Sequence, residues 1–411
     1  MSEDLEKTSR SLLVIHAPEV DVRTGGGQRT HIFYNALRQR GPVEILALAE
    51  SEDLDVAAAF SDNPKVHYAF SSKMPGSASL LRRAKVAAMK LFLPSLWFRI
   101  DPKLAEFIAS NVGLDRFDAI CCRHYQPFVF SGIRRGKARV LVDVDDFDSQ
   151  TLISRLRSVL GGWSKRNFLF EFLERRLTRL MLDDLEQSDC VIFSTQQDFL
   201  ELKHPASALV PNVAFFDTDF ELPAPSASRD VLFVGSYYHP PNQAGLRWFL
   251  ENCWPEIHRQ APEAKLRVVG RGGWVGFDAL EPKVAGVEVV GDVQDVVQEY
   301  ARVRIAISPI NSGGGSKIKV VEGCAFARPV VCLPHSTRGF EDRLVQTLHV
   351  CADADAFVEV TLNLLRDDEL ANESGRAAQQ AQRATYSRQA SEKKIVEALD
   401  EALARSDQPV G

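Results

Sequence analysis

RIAISPINSGGGSKIKVVEGCAFARPVVCLP, residues 304–334, carries the reading of the fold. RIAISPI (304–310) is a short, continuous apolar run of strand type, NSGGGS is a loop, and RPVVCLP (328–334) is a second strand. The segment between them has helical spacing. Ser316 is the predicted N-cap, because a serine oxygen there satisfies a free N–H of the first turn. On this spacing Ile318, Val321, Glu322 and Ala325 share one face, which places a carboxylate in or beside an apolar stripe. An ionised carboxylate there needs a partner. A glycine-rich loop feeding a helix offers backbone N–H groups and a positive dipole end to a phosphate. Lys317 in the first turn opposes that dipole unless an anion is near. The alternative is plainer: Lys319 and Glu322, three residues apart, pair on a helix surface and the glycines only make a turn.

Working outward, the same alternation recurs. DVLFVGS (230–236), a helix at NQAGLRWFLENCWPEIHRQ (242–260), AKLRVVGR (264–271) and VEVVGDV (287–293) precede the quoted stretch. Earlier in the chain stand SLLVIHAP (11–18), a helical GGGQRTHIFYNALRQRG (25–41), VEILALA (43–49), FDAICCR (117–123), ARVLVDV (138–144) and CVIFST (190–195). Unbroken Val/Ile/Leu strands alternating with helices predict parallel sheets covered on both faces. ELPAPSASRD (221–230) lacks any apolar period and reads as a linker. The expected fold class is α/β, as two Rossmann-like lobes facing across a cleft. The expected bounds are an N-terminal lobe at 1–220, a linker at 221–229, a C-terminal lobe at 230–380, and a C-terminal helix and tail at 381–411 that could pack on either lobe.

The chain has 411 residues, 45% apolar and 25% charged, with a net charge of −6. Such a composition is that of a globular protein of more than one domain. The net charge gives no overall attraction to nucleic acid, so an anionic ligand must be met by a local cluster. Seven cysteines without a CxxC pair predict reduced, buried thiols and no zinc. The start, MSEDLEKTSR, reads as neither a signal peptide nor a spanning helix, and the expected location is cytoplasmic. KMPGSASLLRRAKVAAMKLFLPSLWFR (73–99) and SRLRSVLGGWSKRNFLFEFLERRLTRLM (154–181) are locally basic and interleaved with apolar residues. Each could contact an anionic membrane at its inner face or pack on the lobe with its basic side chains snorkelling.

From DVLFVGS to PVVCLP the chain resembles the nucleotide-binding lobe of retaining GT-B glycosyltransferases, specifically glycosyltransferase family 4, through four ordered blocks. These are VLFVGSYYHPPNQAGLRWFLENCWPEI, LRVVGRG, GVEVVGDVQDVVQEYARVRIAISPI and GGGSKIKVVEGCAFARPVV. The N-terminal lobe matches more loosely, through TGGGQRTHIFYNALRQRG, CCRHYQP, VDVDDFDS and VPNVAFFD. The resemblance implies a sugar moved with retention from a nucleotide-diphosphate-sugar to a hydroxyl on a glycan or lipid-linked acceptor, in polysaccharide or glycolipid synthesis, without metal or cofactor. Glu322 matches the second glutamate of the family's E-x7-E signature and is expected to accept from the donor's ribose hydroxyls. The first glutamate of that signature is matched by Gly314, a departure. The family's diphosphate-gripping Arg and Lys are matched by Ser236 and Asn242, a second departure, for which Lys317 is expected to compensate. The nucleobase is expected near Arg271, Gly291, Asp292 and Val293. Gly235, Gly313, Gly315 and Ser316 complete the expected donor site, with the amides of Gly315 and Ser316 and the charge of Lys317 meeting the leaving phosphate.

In the other lobe Gly25, Gly26 and Gly27 would let the backbone approach the donor or acceptor, or would simply make a strand-to-helix turn. His124 follows a strand end and matches a family histidine beside the transferred sugar; a structural histidine is the alternative. Asp143, Asp145 and Asp146 form a DxD-like run. A metal role for it belongs to a different, single-lobed fold, so these acids are expected to cap a helix at Ser149 or to face the acceptor. Two rival functions share the expected fold: a nucleotide-sugar epimerase, and a nucleotide-sugar-binding subunit without turnover.

Overall fold

The computed structural model describes residues 8–22, 24–49, 55–70, 100–145, 167–201, 204–213, 223–281, 283–313 and 317–405. The chain divides into two compact units, Met1–Val210 with Ser391–Gly411, and Pro211–Ala390.

The first unit is built on a seven-stranded, all-parallel sheet in the order β3-β2-β1-β4-β5-β6-β7. Its strands are β1 (Ser11–His16), β2 (Val43–Ala49), β3 (Val66–Phe70), β4 (Ala119–Arg123), β5 (Arg139–Val144), β6 (Cys190–Phe193) and β7 (Ser207–Leu209). The central runs are apolar on both sides of the pleat because both faces are covered: Leu12, Leu13, Val14 and Ile15 of β1 are all fully buried. Full burial of each such side chain is worth about 1.5–3 kcal/mol. The chain order reverses at β1, which has β2 on one side and β4 on the other. A reversal of this kind opens a crevice at the carboxyl ends of the two strands, where ligands sit in open α/β sheets.

The second unit repeats the design with six parallel strands in the order β10-β9-β8-β11-β12-β13. These are β8 (Val231–Val234), β9 (Leu266–Val269), β10 (Val287–Gly291), β11 (Ile305–Ser308), β12 (Val330–Cys332) and β13 (His349–Val350). Here the reversal lies between β8 and β11. Both units therefore have the Rossmann-like α/β class expected from the apolar runs. The predicted helix at 242–260 is two helices, Pro240–Asn252 and Trp254–Gln260, broken at Cys253. Two prolines open the first of them, where a missing N–H costs nothing.

The stretch expected to be a linker is not loose. Residues 225–227 form a short turn of helix with Pro225 buried. The fully buried Arg304 donates to the carbonyls of Pro225, Ser226 and Ser228, and also to those of Leu364 and Leu365 at the end of the helix Ala354–Arg366. It also pairs with Asp368, while Arg328 holds the carbonyl of Pro223. Composition suggested freedom here; two distant arginines remove it.

The C-terminal helix Arg388–Ala404 enters the first unit from Ser391 onward. Arg40 pairs with Asp400 at 2.6 Å, and Gln39 Nε2 donates to Glu392. All seven cysteines are buried, free thiols. Among the described residues no helix is long and apolar enough to cross a membrane. The basic stretch 73–99 lies outside the described residues, as does 154–166 of the second basic stretch; its remainder begins the helix Asn167–Leu185.

Candidate functional site

In the second unit the described residues expected at the donor lie mainly beyond the carboxyl ends of β8, β9, β10 and β11. Beyond β8, Gly235 N–H donates to the Val269 carbonyl, and beyond β9, Gly270 N–H donates to the Gly291 carbonyl. The three strand ends are thus laced together by main chain. Gly270 has φ +144°, and a Cβ there would lie 1.9 Å from the Gly235 oxygen, so only glycine permits the contact. Trp274 Nε1 donates to the same oxygen at 2.9 Å. Arg271 and Asp292 stand half-exposed above these ends, their Nε and Oδ2 4.0 Å apart, with Val293 beside them.

Across the reversal, the loop after β11 leads to the helix Ile318–Ala325. Its N-cap is Lys317, not Ser316, so Lys317 does not occupy the first turn as expected. Gly314, Gly315 and Ser316 lie outside the described residues. Gly313 has φ +94° and would bring a Cβ to 2.8 Å from Pro241. Its carbonyl accepts from His335 Nε2 at 2.8 Å and lies 3.5 Å from Lys317 Nζ. Lys317 is almost fully buried.

Glu322 is buried, and so are Val320, Val321, Gly323, Cys324 and Ala325 around it. A carboxylate buried in this way is not on an exposed stripe, so it does not form the surface ion pair considered above. Lys319 instead donates to Asn242 Oδ1 at 2.6 Å, with its Nζ 4.7 Å from the centre of the Phe233 ring. Glu322 Oε2 accepts from Tyr300 O–H at 3.3 Å. Burial first, then the neighbouring Glu322 charge and this hydrogen bond, push Tyr300 well above its ordinary value, so it remains a donor. One oxygen of Glu322 thus has a neutral partner inside the fold. Asn242 is buried and its Nδ2 donates to the Ser236 carbonyl at 2.9 Å.

In the first unit the expected residues also meet at the sheet reversal. Thr24 caps the helix Gly25–Arg38, its Oγ accepting from Gly27 N–H at 3.1 Å. A Cβ at Gly27 would lie 2.0 Å from the Asp21 oxygen, so this glycine is required by the turn itself. Gly26 meets no such obstacle, and its carbonyl accepts from Thr30 Oγ and from Arg123. Gly25 begins the helix.

His124 stands at the end of β4 with φ +69° and ψ 156°, a conformation that costs a non-glycine residue about 1–3 kcal/mol and clusters at functional sites. Its Nε2 lies 3.1 Å from Glu19 Oε2. Burial acts to raise Glu19, but His124 and Arg123 outweigh it and hold the carboxyl below its ordinary value. Glu19, in the turn after β1, was not singled out by its sequence context.

Asp143 neither caps a helix nor faces open space. It is fully buried between Arg29, whose guanidinium contacts it through two nitrogens, and Arg123. Both guanidinium groups also stack on Phe33, at 5.2 and 5.3 Å. Asp145 lies 3.9 Å from Arg123, and Asp146 and Ser149 lie outside the described residues.

Residues 228–367 match the family Glycosyl transferases group 1. That segment contains the whole of the second sheet and every donor residue expected in this unit. No curated protein matches the chain. Among solved structures it is similar in fold to sucrose-phosphate synthase from Thermosynechococcus elongatus, with TM-score 0.70, 14% identity, and 97% of this chain and 100% of that one covered. It is also similar to a mutant of S. aureus TarM in complex with Fondaparinux, alpha-GlcNAc-glycerol and UDP (TM-score 0.67, 11% identity, 97% and 100% covered). Anabaena HepE in complex with UDP and glucose is a third (TM-score 0.62, 13% identity, 95% and 99% covered). At these identities the likeness establishes the two-sheet fold of GT-B glycosyltransferases and no activity.

Proposed function

We propose that this protein is a retaining glycosyltransferase that moves a sugar from a nucleotide-diphosphate donor to a hydroxyl of a glycan or lipid-linked acceptor. The observation that carries the reading is the coincidence, at the β8/β11 reversal, of the family match with a buried carboxylate and two lysines on one short helix segment. A donor diphosphate is both ligand and leaving group. As the anomeric carbon becomes cationic, negative charge grows on the phosphate, and groups already aimed there lower the barrier. The lysines beside this crevice fit that task, Glu322 fits ribose hydroxyls, and Arg271, Asp292 and Val293 fit the base. His124 is assigned beside the transferred sugar. With retention, the acceptor attacks on the face the phosphate leaves, and the phosphate takes the acceptor proton. No protein nucleophile is needed.

The charge of the lysines makes a metal unnecessary in this scheme, and chelator should leave transfer unchanged. Electrostatic association of 73–99 with an anionic membrane on the cytoplasmic side belongs to the same reading; sedimentation with anionic vesicles that is insensitive to salt would count against an electrostatic contact. Thermal stability measured with UDP-, GDP-, dTDP- and ADP-sugars tests the whole, since a bound donor raises the melting temperature by mass action. One donor class should stabilise the protein, and its sugar should appear on an acceptor with the anomeric configuration kept. Stabilisation by none of the four would refute the reading. Epimerised free product would point to the isomerase alternative, and binding without turnover to an inactive subunit.

A further inference from the structure

We propose that Lys319 is the residue that grips the donor diphosphate at the carboxyl end of β8. This rests on the donor reading above and assigns the phosphate contact to a side chain that spacing alone placed in a surface pair. Three observations converge on it. Lys319 Nζ lies at the sheet reversal, 3.0 Å from where a Cβ on Gly235 would stand, so the missing side chain at Gly235 makes the space the ammonium occupies. Among the described residues the only oxygen its Nζ is bonded to is the neutral amide Oδ1 of Asn242, and the face of Phe233 lies close to it. Among the described residues no carboxylate lies within ion-pair distance of it, and the adjoining segment 314–316 is Gly-Gly-Ser, which brings none.

A half-buried ammonium without an anion is an unfavourable arrangement for the free protein. Burial first, then the charge of Lys317, lower its pKa from the ordinary lysine range to about 7, against a smaller opposing pull from Glu322. The titratable groups around it are Lys317 and Glu322 on its own segment and Tyr300 from the helix Val296–Ala301; Phe233, Gly235 and Asn242 do not titrate. A diphosphate oxygen placed against Nζ would reverse the imbalance and restore the proton. Asn242 then acts as a positioning residue: its Nδ2 is fixed by the Ser236 carbonyl and its Oδ1 aims the ammonium.

The test compares UDP, GDP, ADP and dTDP with their parent nucleosides by titration calorimetry, on the full chain and on Lys319→Met. The diphosphate that binds should bind at least tenfold more weakly to the variant, as expected for a lost charge-assisted hydrogen bond. The nucleoside should bind both proteins equally. Unchanged diphosphate affinity in the variant overturns the proposal. So does an equal loss for diphosphate and nucleoside, which marks a damaged site rather than a lost phosphate contact. If the full chain binds none of the four diphosphates, the donor reading and this proposal fall together. Should Lys319→Met not fold, Lys319→Gln takes its place, with the same outcomes supporting or overturning the proposal.

Discussion

Replacing Glu322 by Gln changes one thing, the charge, in a side chain that is only 6% exposed. The amide keeps the shape, and its carbonyl oxygen can still accept from Tyr300, now 3.3 Å from the carboxylate. Loss of a buried charge also removes a desolvation cost, so the unfolding free energy should stay within about 1 kcal/mol of the parent. Donor binding should not be spared. A hydroxyl bonded to a carboxylate contributes about 1.5–3 kcal/mol, so one lost ribose contact weakens the donor roughly tenfold to a hundredfold. The assay is a cycle: parent and Glu322→Gln, each titrated with the ribonucleoside diphosphate and with its 2′,3′-dideoxy analogue. If Glu322 holds the ribose, the substitution and the missing hydroxyls remove the same contact and their costs are not additive. The same ribose-to-dideoxy ratio in both proteins would refute the reasoning and leave Glu322 with a structural role beside Tyr300. Tyr300→Phe is the control, expected to cost about 1 kcal/mol of stability and less affinity than Glu322→Gln.

Arg304→Met should destabilise the second unit by about 3–5 kcal/mol in urea, because five carbonyls and Asp368 lose a buried donor at once; a loss under about 1 kcal/mol would show those bonds to be replaceable. His124→Gly relieves a positive φ, so it should melt no lower than the parent while sugar transfer falls; equal transfer would make His124 structural. For Glu44, burial acts upward, but hydrogen bonds with His67 and Arg10 and the charges of Arg116 and Lys65 hold it at about 2. A depressed carboxyl contributes stability above its unfolded value of 4.5 that is lost as pH falls toward 2. With its partners partly screened by solvent, Glu44→Gln should cost about 1–2 kcal/mol at neutral pH and progressively less below pH 4.5. A cost independent of pH would show that its ion pairs are not what it supplies.

The strands were legible because they are buried on both faces. SLLVIH and RIAIS can be read as parallel-sheet strands without knowing their neighbours. The strand order, which places a crevice at each reversal, is seen only in the fold; His124, Glu322 and the glycines were expected from the loops that end those strands and from the resemblance. What stayed hidden depends on partners far away in sequence. Lys319 and Glu322 stand three apart, which suits a surface pair as well as two separate partners. Only the fold brings Asn242, 77 positions earlier, under the lysine. Asp143 was expected to cap a helix or face the acceptor, and only the fold shows Arg29 and Arg123 enclosing it. ELPAPSASRD has the composition of a tether, and nothing local reveals that Arg304 and Arg328 claim its carbonyls. Glu19 carried no local signal at all; its link to His124 exists only in three dimensions.

The lacing of β8, β9 and β10 by Gly235, Val269, Gly270 and Gly291 uses peptide groups alone. A platform of that kind is indifferent to the side chains that rise from it. Arg271, Asp292 and Val293 can change identity without loosening the strand ends beneath them, so, if the proposed donor base sits there, single substitutions could retune its choice at little cost in stability. Gly235 and Gly270 have no such latitude. Evolutionary freedom and constraint are thus separated by a few ångströms, and a mutational scan of donor choice should find its productive positions among the first group and its dead ends at Gly235 and Gly270.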